Sequence, residues 1–138
     1  MAAAKNKAVI ARFVEEVINQ GHLERVDDLA AVDFVELDPL PGQQQGREGL
    51  KQVIKAFRSA FPDIHWAIEE MVGEGDKVFC RFTWHGTHRG EFFGVPATGR
   101  QITVKGMVVD RVVDGRMAES RILMDGLSMM RQLGVVPA

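Results

Sequence analysis

The chain has 138 residues, 46% of them hydrophobic and 26% charged, with a formal net charge of -2. This is a globular composition, long enough to bury one sizeable core. The balance leaves no basic excess for nucleic-acid phosphates, and no apolar run approaches the roughly 18 residues of a membrane span.

Ile10, Phe13, Val14, Val17 and Ile18 recur at three- and four-residue spacing and predict an amphipathic helix, which Gly21 ends. Leu23, Val26, Leu29 and Ala30 suggest a short second helix. Asp38 to Gly46, with Pro39, Pro41 and Gly42, reads as a loop. Leu50, Val53, Ile54, Phe57 and Phe61 mark a third helix, which Pro62 ends because proline lacks the N–H.

Strands follow. Ile64, Trp66, Ile68 and Val72 alternate roughly, and Gly73 to Asp76 turns the chain. Val78, Cys80, Phe82 and Trp84 share one face of the next strand, opposite Arg81, Thr83 and His85. Val95 to Gly99 is a second turn. Ile102, Val104, Gly106, Val108, Asp110 and Val112 share a face of a long strand, where Gly106 suggests a bulge or bend. The last hairpin has two readings. A two-residue Asp114-Gly115 turn sets Val113 opposite Arg116; a three-residue loop sets Val112 there. The second is preferred because it gathers Val108, Asp110, Ala118, Ser120 and Ile122 on one face. Its outer face then carries Val109, Arg111, Val113, Met117, Glu119 and Arg121. Asp125 is a candidate N-cap for a short final helix. Helices first and strands after indicate an α+β fold across 1–138 as a single domain.

The segment Gly86 to Arg100 (GTHRGEFFGVPATGR) resembles a signature of the SnoaL-like polyketide cyclase and ester cyclase family. So do Phe61-Pro62-Asp63, Gly75-Asp76-Lys77-Val78, the Arg111 to Arg116 hairpin, and the ending from Asp125 to Gly134. The resemblance implies a nuclear transport factor 2-like cone, with three N-terminal helices on a strongly curved mixed sheet and a short C-terminal helix. Three helices do not fill such a concave sheet, so an apolar pocket is expected. The family's best-studied members close a polyketide ester ring by an aldol reaction without metal or cofactor. They use an Asp on the last strand, helped by a His on the strand before. By the same resemblance those positions fall here on Ile122 and Val108, neither of which transfers a proton.

Other residues are candidates for the chemistry. Asp110 is the one ionisable group on an apolar strand face; it is either a desolvated general base or a hairpin-end residue reaching solvent or an Arg. Glu36 occupies a position where relatives often place a polar cavity residue, or else a strand edge or cap. His88 either donates a proton to a carbonyl or fastens a loop. Phe82, Trp84, Val108, Ser120, Ile122 and Met124 are expected to line the pocket. Trp66, Phe92 and Phe93 are further candidate walls, and Met129 and Met130 belong near its mouth. The four histidines lie scattered, so no metal site is expected, and the resemblance implies that no cofactor is needed either.

The preferred function is cofactor-free acid/base chemistry on a hydrophobic, polyketide-like carbonyl compound: aldol cyclisation, isomerisation, lyase chemistry or epoxide hydration. A non-catalytic binding module and a dimeric interaction domain are the alternatives. The single cysteine and the opening Met1-Ala2-Ala3-Ala4-Lys5, which lacks an apolar core, suggest a cytoplasmic protein. A homodimer through the outer sheet face is expected, with no nucleic-acid or membrane partner.

Overall fold

The computed structural model describes residues 2–137. Helix α1, Ala2–Arg12, is rich in alanine, the strongest helix former. It continues without a break into a π-helical segment, Phe13–Asn19. The wider π turn puts Phe13, Val14, Val17 and Ile18 all in the interior, and Gly21 (φ 79°) ends the helix as its position predicts. A 3-10 turn, Leu23–Arg25, leads into the short α2, Val26–Leu29. Strand β1 is Ala30–Glu36. Helix α3, Gly46–Ala60, stops before Pro62. Four strands follow: β2, His65–Glu74; β3, Lys77–Thr87; β4, Gln101–Val113; and β5, Arg116–Met124. Helix α4, Gly126–Leu133, closes the fold.

The strands form one mixed sheet in the order β1-β5-β4-β3-β2, with β1 parallel to β5 and the other pairs antiparallel. The α+β class, the mixed sheet and the short C-terminal helix are as expected, but β1 precedes α3, so the helices do not all come first, and Ala30, expected in the second helix, opens β1. Helices α1 and α3 lie against the sheet, and their apolar stripes meet its buried face in one core.

Two polar side chains fix how the helices dock. Asn19 accepts the Trp66 N–H at 2.8 Å and donates to the Trp66 carbonyl at 3.1 Å. It thereby pairs with edge strand β2 as a neighbouring strand would. Arg58 of α3 donates to the carbonyls of Ile18 (2.6 Å) and Asn19 (3.0 Å), satisfying the open end of the first helix. At the other end Asp125 caps α4 by accepting the Ser128 N–H at 3.0 Å, as expected.

Two bulges correct the expected alternation. Between Ile68 and Glu70 the β2 ladder slips by one residue, so Val72, expected to share a face with Trp66, is exposed while Met71 turns inward. In the last hairpin the turn is the two-residue one: Asp114 (φ 51°) and Gly115 (φ 78°) connect Val113 to Arg116. A bulge then inserts Ala118, because Val112 pairs with Met117 but Arg111 pairs with Glu119. From Glu119 onward the faces match those of the preferred three-residue loop, but the pairing is displaced by two residues: Asp110 meets Ser120, where that loop would set it against Ala118. Before the bulge the faces do not match, so Met117, assigned to the outer face, is buried. Gly106 makes no bulge: it pairs regularly with Phe82 and with Met124. A Cβ there would strike the Phe82 ring and sit 2.8 Å from the Leu123 carbonyl oxygen.

Candidate functional site

A cavity of about 720 Å³ lies between the helices and the sheet. Phe13, Val14 and Ile18 of the π segment form one wall, and Leu50, Val53, Ile54 and Phe57 of α3 form another. The π geometry matters here, because it turns neighbouring apolar residues toward the same void. The sheet supplies the floor: Phe34 and Glu36 from β1, Met117, Ser120 and Ile122 from β5, Val108 and Asp110 from β4, Cys80 from β3 and Trp66 from β2. Phe92, Phe93, Leu40, Met124, Met129 and Met130 complete the lining.

Three polar side chains of the sheet floor stand in one row. Ser120 is the ladder partner of Asp110 on β4 and of Glu36 on β1. Strands are spaced about 4.8 Å apart, so three side chains stand abreast on the cavity floor. Asp110 is 3% exposed and Glu36 7%. Burial pushes the Asp110 carboxyl up to about 7; hydrogen bonding from Ser120 opposes this and the Glu36 charge reinforces it. Burial also raises Glu36, opposed first by the Asp38 N–H, which donates to its carboxylate at 3.0 Å. Oδ1 of Asp110 is buried without a hydrogen-bond partner. A carboxyl held neutral or charged near pH 7, with an unpartnered oxygen in an apolar-lined cavity, can take a proton from an apolar molecule or return one.

Arg58 and Cys80 also line the void. The Arg58 guanidinium is engaged by backbone carbonyls. Cys80 is held as a neutral thiol: burial first, then the Asp110 charge, pushes it up to about 11. Among the described residues no three His, Cys, Asp or Glu side chains come together as a metal-ligand set.

The structure brings Asp110, Glu36, Val108, Ser120, Ile122 and Met124 together at this cavity and leaves three expected residues out. His88 is fully buried away from it. Its Nδ1 accepts the Thr98 N–H at 3.2 Å and lies 3.0 Å from the Thr98 hydroxyl, while its backbone pairs with Arg100 and Gly99. The ring therefore fastens the loop between β3 and β4. Phe82 stacks behind Trp66, centroids 3.8 Å apart and 10° from parallel. Trp84 is packed edge-on against Phe57 and Phe61, and its Nε1 donates to Met124 Sδ at 3.4 Å. Both are on the correct face but lie outside the void. The helix-borne lining from Phe13, Val14 and Ile18 went unassigned, since an apolar stripe looks the same whether it meets core or cavity.

The sequence profile of the family described as SnoaL-like polyketide cyclase matches residues 8–133. This chain belongs to that family. It is 30% identical over 133 residues to the aklanonic acid methyl ester cyclase DnrD of Streptomyces peucetius, covering 91% of this chain and 88% of that one. Among solved structures, TsrD from Streptomyces laurentii superposes with a TM-score of 0.88 at 28% identity, covering 96% of this chain and 97% of the other. IdmH from Streptomyces antibioticus superposes with a TM-score of 0.81 at 34% identity, covering 94% and 98%. In this SnoaL-like frame Val108 pairs with Ile122, and the next same-face pair along the two strands is Asp110 with Ser120.

Proposed function

We propose that this SnoaL-like protein is a cofactor-free acid/base enzyme acting on a neutral, hydrophobic carbonyl compound of polyketide type, with Asp110 and Glu36 as its proton-transfer groups. The observation that carries this reading is the row Glu36–Ser120–Asp110 on an otherwise apolar cavity floor. By the family resemblance the His and Asp positions fall on Val108 and Ile122, and Asp110 stands two residues from Val108 on the same face of β4. The two positions are about 6.7 Å apart along β4. Carrying the carboxyl on β4 rather than β5, one same-face step from the Val108–Ile122 pair, keeps it inside the cavity and changes which carbon of a bound ring system it reaches.

In this reading ionised Asp110 removes a proton from a carbon next to a carbonyl. Ser120, between the two carboxyls, donates to whichever is charged. Burial keeps the Asp110 proton affinity near neutrality, and Glu36 adds to it by disfavouring a second negative charge. The resulting enolate carbon attacks an electrophilic carbonyl of the same molecule, and the Asp110 proton passes to the new alkoxide. Charge repulsion makes a free carboxylate a poor ligand, which suits an ester. The test is turnover of aklanonic acid methyl ester, the compound named for the relative DnrD. Wild type should consume it, and both Asp110→Asn and Glu36→Gln should lose rate.

A non-catalytic binder is the second reading, favoured by the apolar Val108 and Ile122. Ligand affinity unchanged by both amide substitutions, with no product formed by wild type, would establish it. We also propose that residues 1–138 act as one domain in a reducing, cytoplasmic setting, supported by the unpaired, buried Cys80. A homodimer through the outer sheet face completes the reading: Met107, Val109, Val113 and Leu123 are exposed there beside the Arg111–Glu119 ion pair at 3.4 Å. Mixed apolar and charged patches suit a self-complementary contact. Sedimentation at micromolar concentration as a monomer would reject it.

A further inference from the structure

The loop between β3 and β4 carries a feature that neither the carboxyl row nor the packing explains. Phe92 and Val95 exchange backbone hydrogen bonds of 3.0 and 2.9 Å across a two-residue turn. Both turn residues have positive φ: Phe93 at 47° and Gly94 at 80°. Asn, Asp or Gly belongs at the first of these positions, and a bulky side chain there is strained. Burial does not hold Phe93 in place, because it is 53% exposed. Its ring nevertheless lines the cavity and meets Phe92 edge-on at 4.7 Å and 79°. Phe92 in turn meets Phe57 at 5.0 Å, and Phe57 meets Trp84 at 5.8 Å, both edge-on. Phe93 is thus the solvent-facing end of an aromatic row that begins in the core. Phe57, Phe92 and Phe93 also border a second, smaller hollow of about 290 Å³ beside the main one. The ring therefore stands on the partition between cavity and surface.

A strained, half-exposed aromatic ring at the end of such a row has an unfilled face. We propose that Phe93 is a ligand-contacting specificity residue, whose ring covers a planar, conjugated ligand at the cavity mouth and favours it over a saturated molecule of similar size. This rests on the cavity being the ligand site argued above. It adds the substrate class that the carboxyl row does not define, since two carboxyls constrain charge but not flatness.

Two neutral ketones separate the possibilities: 2-acetylnaphthalene and its decahydro counterpart, each titrated by calorimetry into the full chain. Phe93→Leu keeps an apolar side chain but removes the aromatic face. It should weaken 2-acetylnaphthalene about three- to tenfold, the range of an aromatic pair, and leave the saturated ketone within about twofold. Phe93→Asn places a residue suited to positive φ, so its Tm should stay within about 2 °C of wild type or rise, while affinity for the flat ketone falls. Equal weakening of both ketones, or of neither, in Phe93→Leu overturns the proposal. So does a Tm loss above about 5 °C in Phe93→Asn, which would make the ring a structural support for the turn. Failure of wild type to bind either ketone would reject the cavity as a ligand site as well, whereas binding without a Phe93 effect rejects only the specificity role.

Discussion

Asp110 faces Ser120 across the β4–β5 ladder, and this pairing puts the only carboxyl of the β4 floor beside the hydroxyl that also adjoins Glu36. The bulge at Ala118 makes the pairing possible, since without it the two-residue turn would set Asp110 against Glu119. A one-residue slip would send Ser120 and Ile122 to solvent and bring Glu119 and Arg121 beneath the helices.

Burial holds the Asp110 carboxyl up to about 7, and the Glu36 charge adds to the shift. Replacing Glu36 with Gln removes that charge, so Asp110 should ionise at lower pH. If ionised Asp110 is the base, kcat/KM rises with pH through about 7 in wild type, and the acid limb shifts to lower pH in Glu36→Gln. A pH–rate profile measures this directly. An unmoved limb would uncouple the two carboxyls.

Stability should carry the opposite signature. The folded Asp110 value, about 7, lies above the ordinary carboxylate value of 3.8, so the native state binds the proton more tightly than the unfolded chain. The associated stability is fully present below about pH 4 and is lost as pH rises through about 7. Asp110→Asn removes this dependence. It should be more stable than wild type at pH 8, by roughly 2–4 kcal/mol, with the difference shrinking toward pH 4. Denaturant titrations at the two pH values check it, and a variant less stable than wild type at pH 8 would contradict the burial of a charged Asp110.

Asn19 and Trp66 exchange two hydrogen bonds that tie the π segment to the sheet edge. Asn19→Ala leaves a strand N–H and carbonyl without these partners and should cost about 1–3 kcal/mol. Because Trp66 lines the cavity, its fluorescence should also shift on the same substitution.

Gly106 leaves room for the Phe82 ring, which backs Trp66. Gly106→Ala should destabilise the fold by about 1–3 kcal/mol through overpacking and displace Trp66 into the void. Thermal unfolding together with ligand titration reads both effects; an alanine variant with wild-type stability would show that the stack moves freely.

Cys80 should resist iodoacetamide in the folded protein at pH 8, since burial and the nearby Asp110 keep it a thiol. Mass spectrometry after timed exposure decides this, and rapid labelling would show an open, water-filled floor.

Much of the fold was legible because alternation on β3 and β4 and the three-residue spacing on α3 are strong signals. The Asp110 face of β4 followed from the same alternation. The hairpin was harder. The apolar pattern identified which β5 residues belong with Asp110, but not that a tight turn followed by a bulge delivers them, so Met117 was put on the wrong side. Strand β1 has no clean period, and Glu36 could be placed only by resemblance. Phe82, Trp84 and His88 show a different limit: sequence pattern assigns a face, yet whether a residue on it meets a void depends on what covers it, here Trp66 over Phe82, Phe57 and Phe61 over Trp84, and Phe61 over His88. The π turn at Phe13 leaves no mark in an apolar stripe, which reads equally well as α-helix.

The account turns on Asp110 as the proton-transfer group in a ligand-filled cavity. The most direct measurement pairs turnover of aklanonic acid methyl ester with its binding, read from fluorescence quenching, in wild type and Asp110→Asn. Wild type should form a cyclised product, while Asp110→Asn should bind within about threefold of wild type and turn over about 100-fold or more slowly. An Asp110→Asn protein that cyclises the ester at the wild-type rate would contradict the assignment.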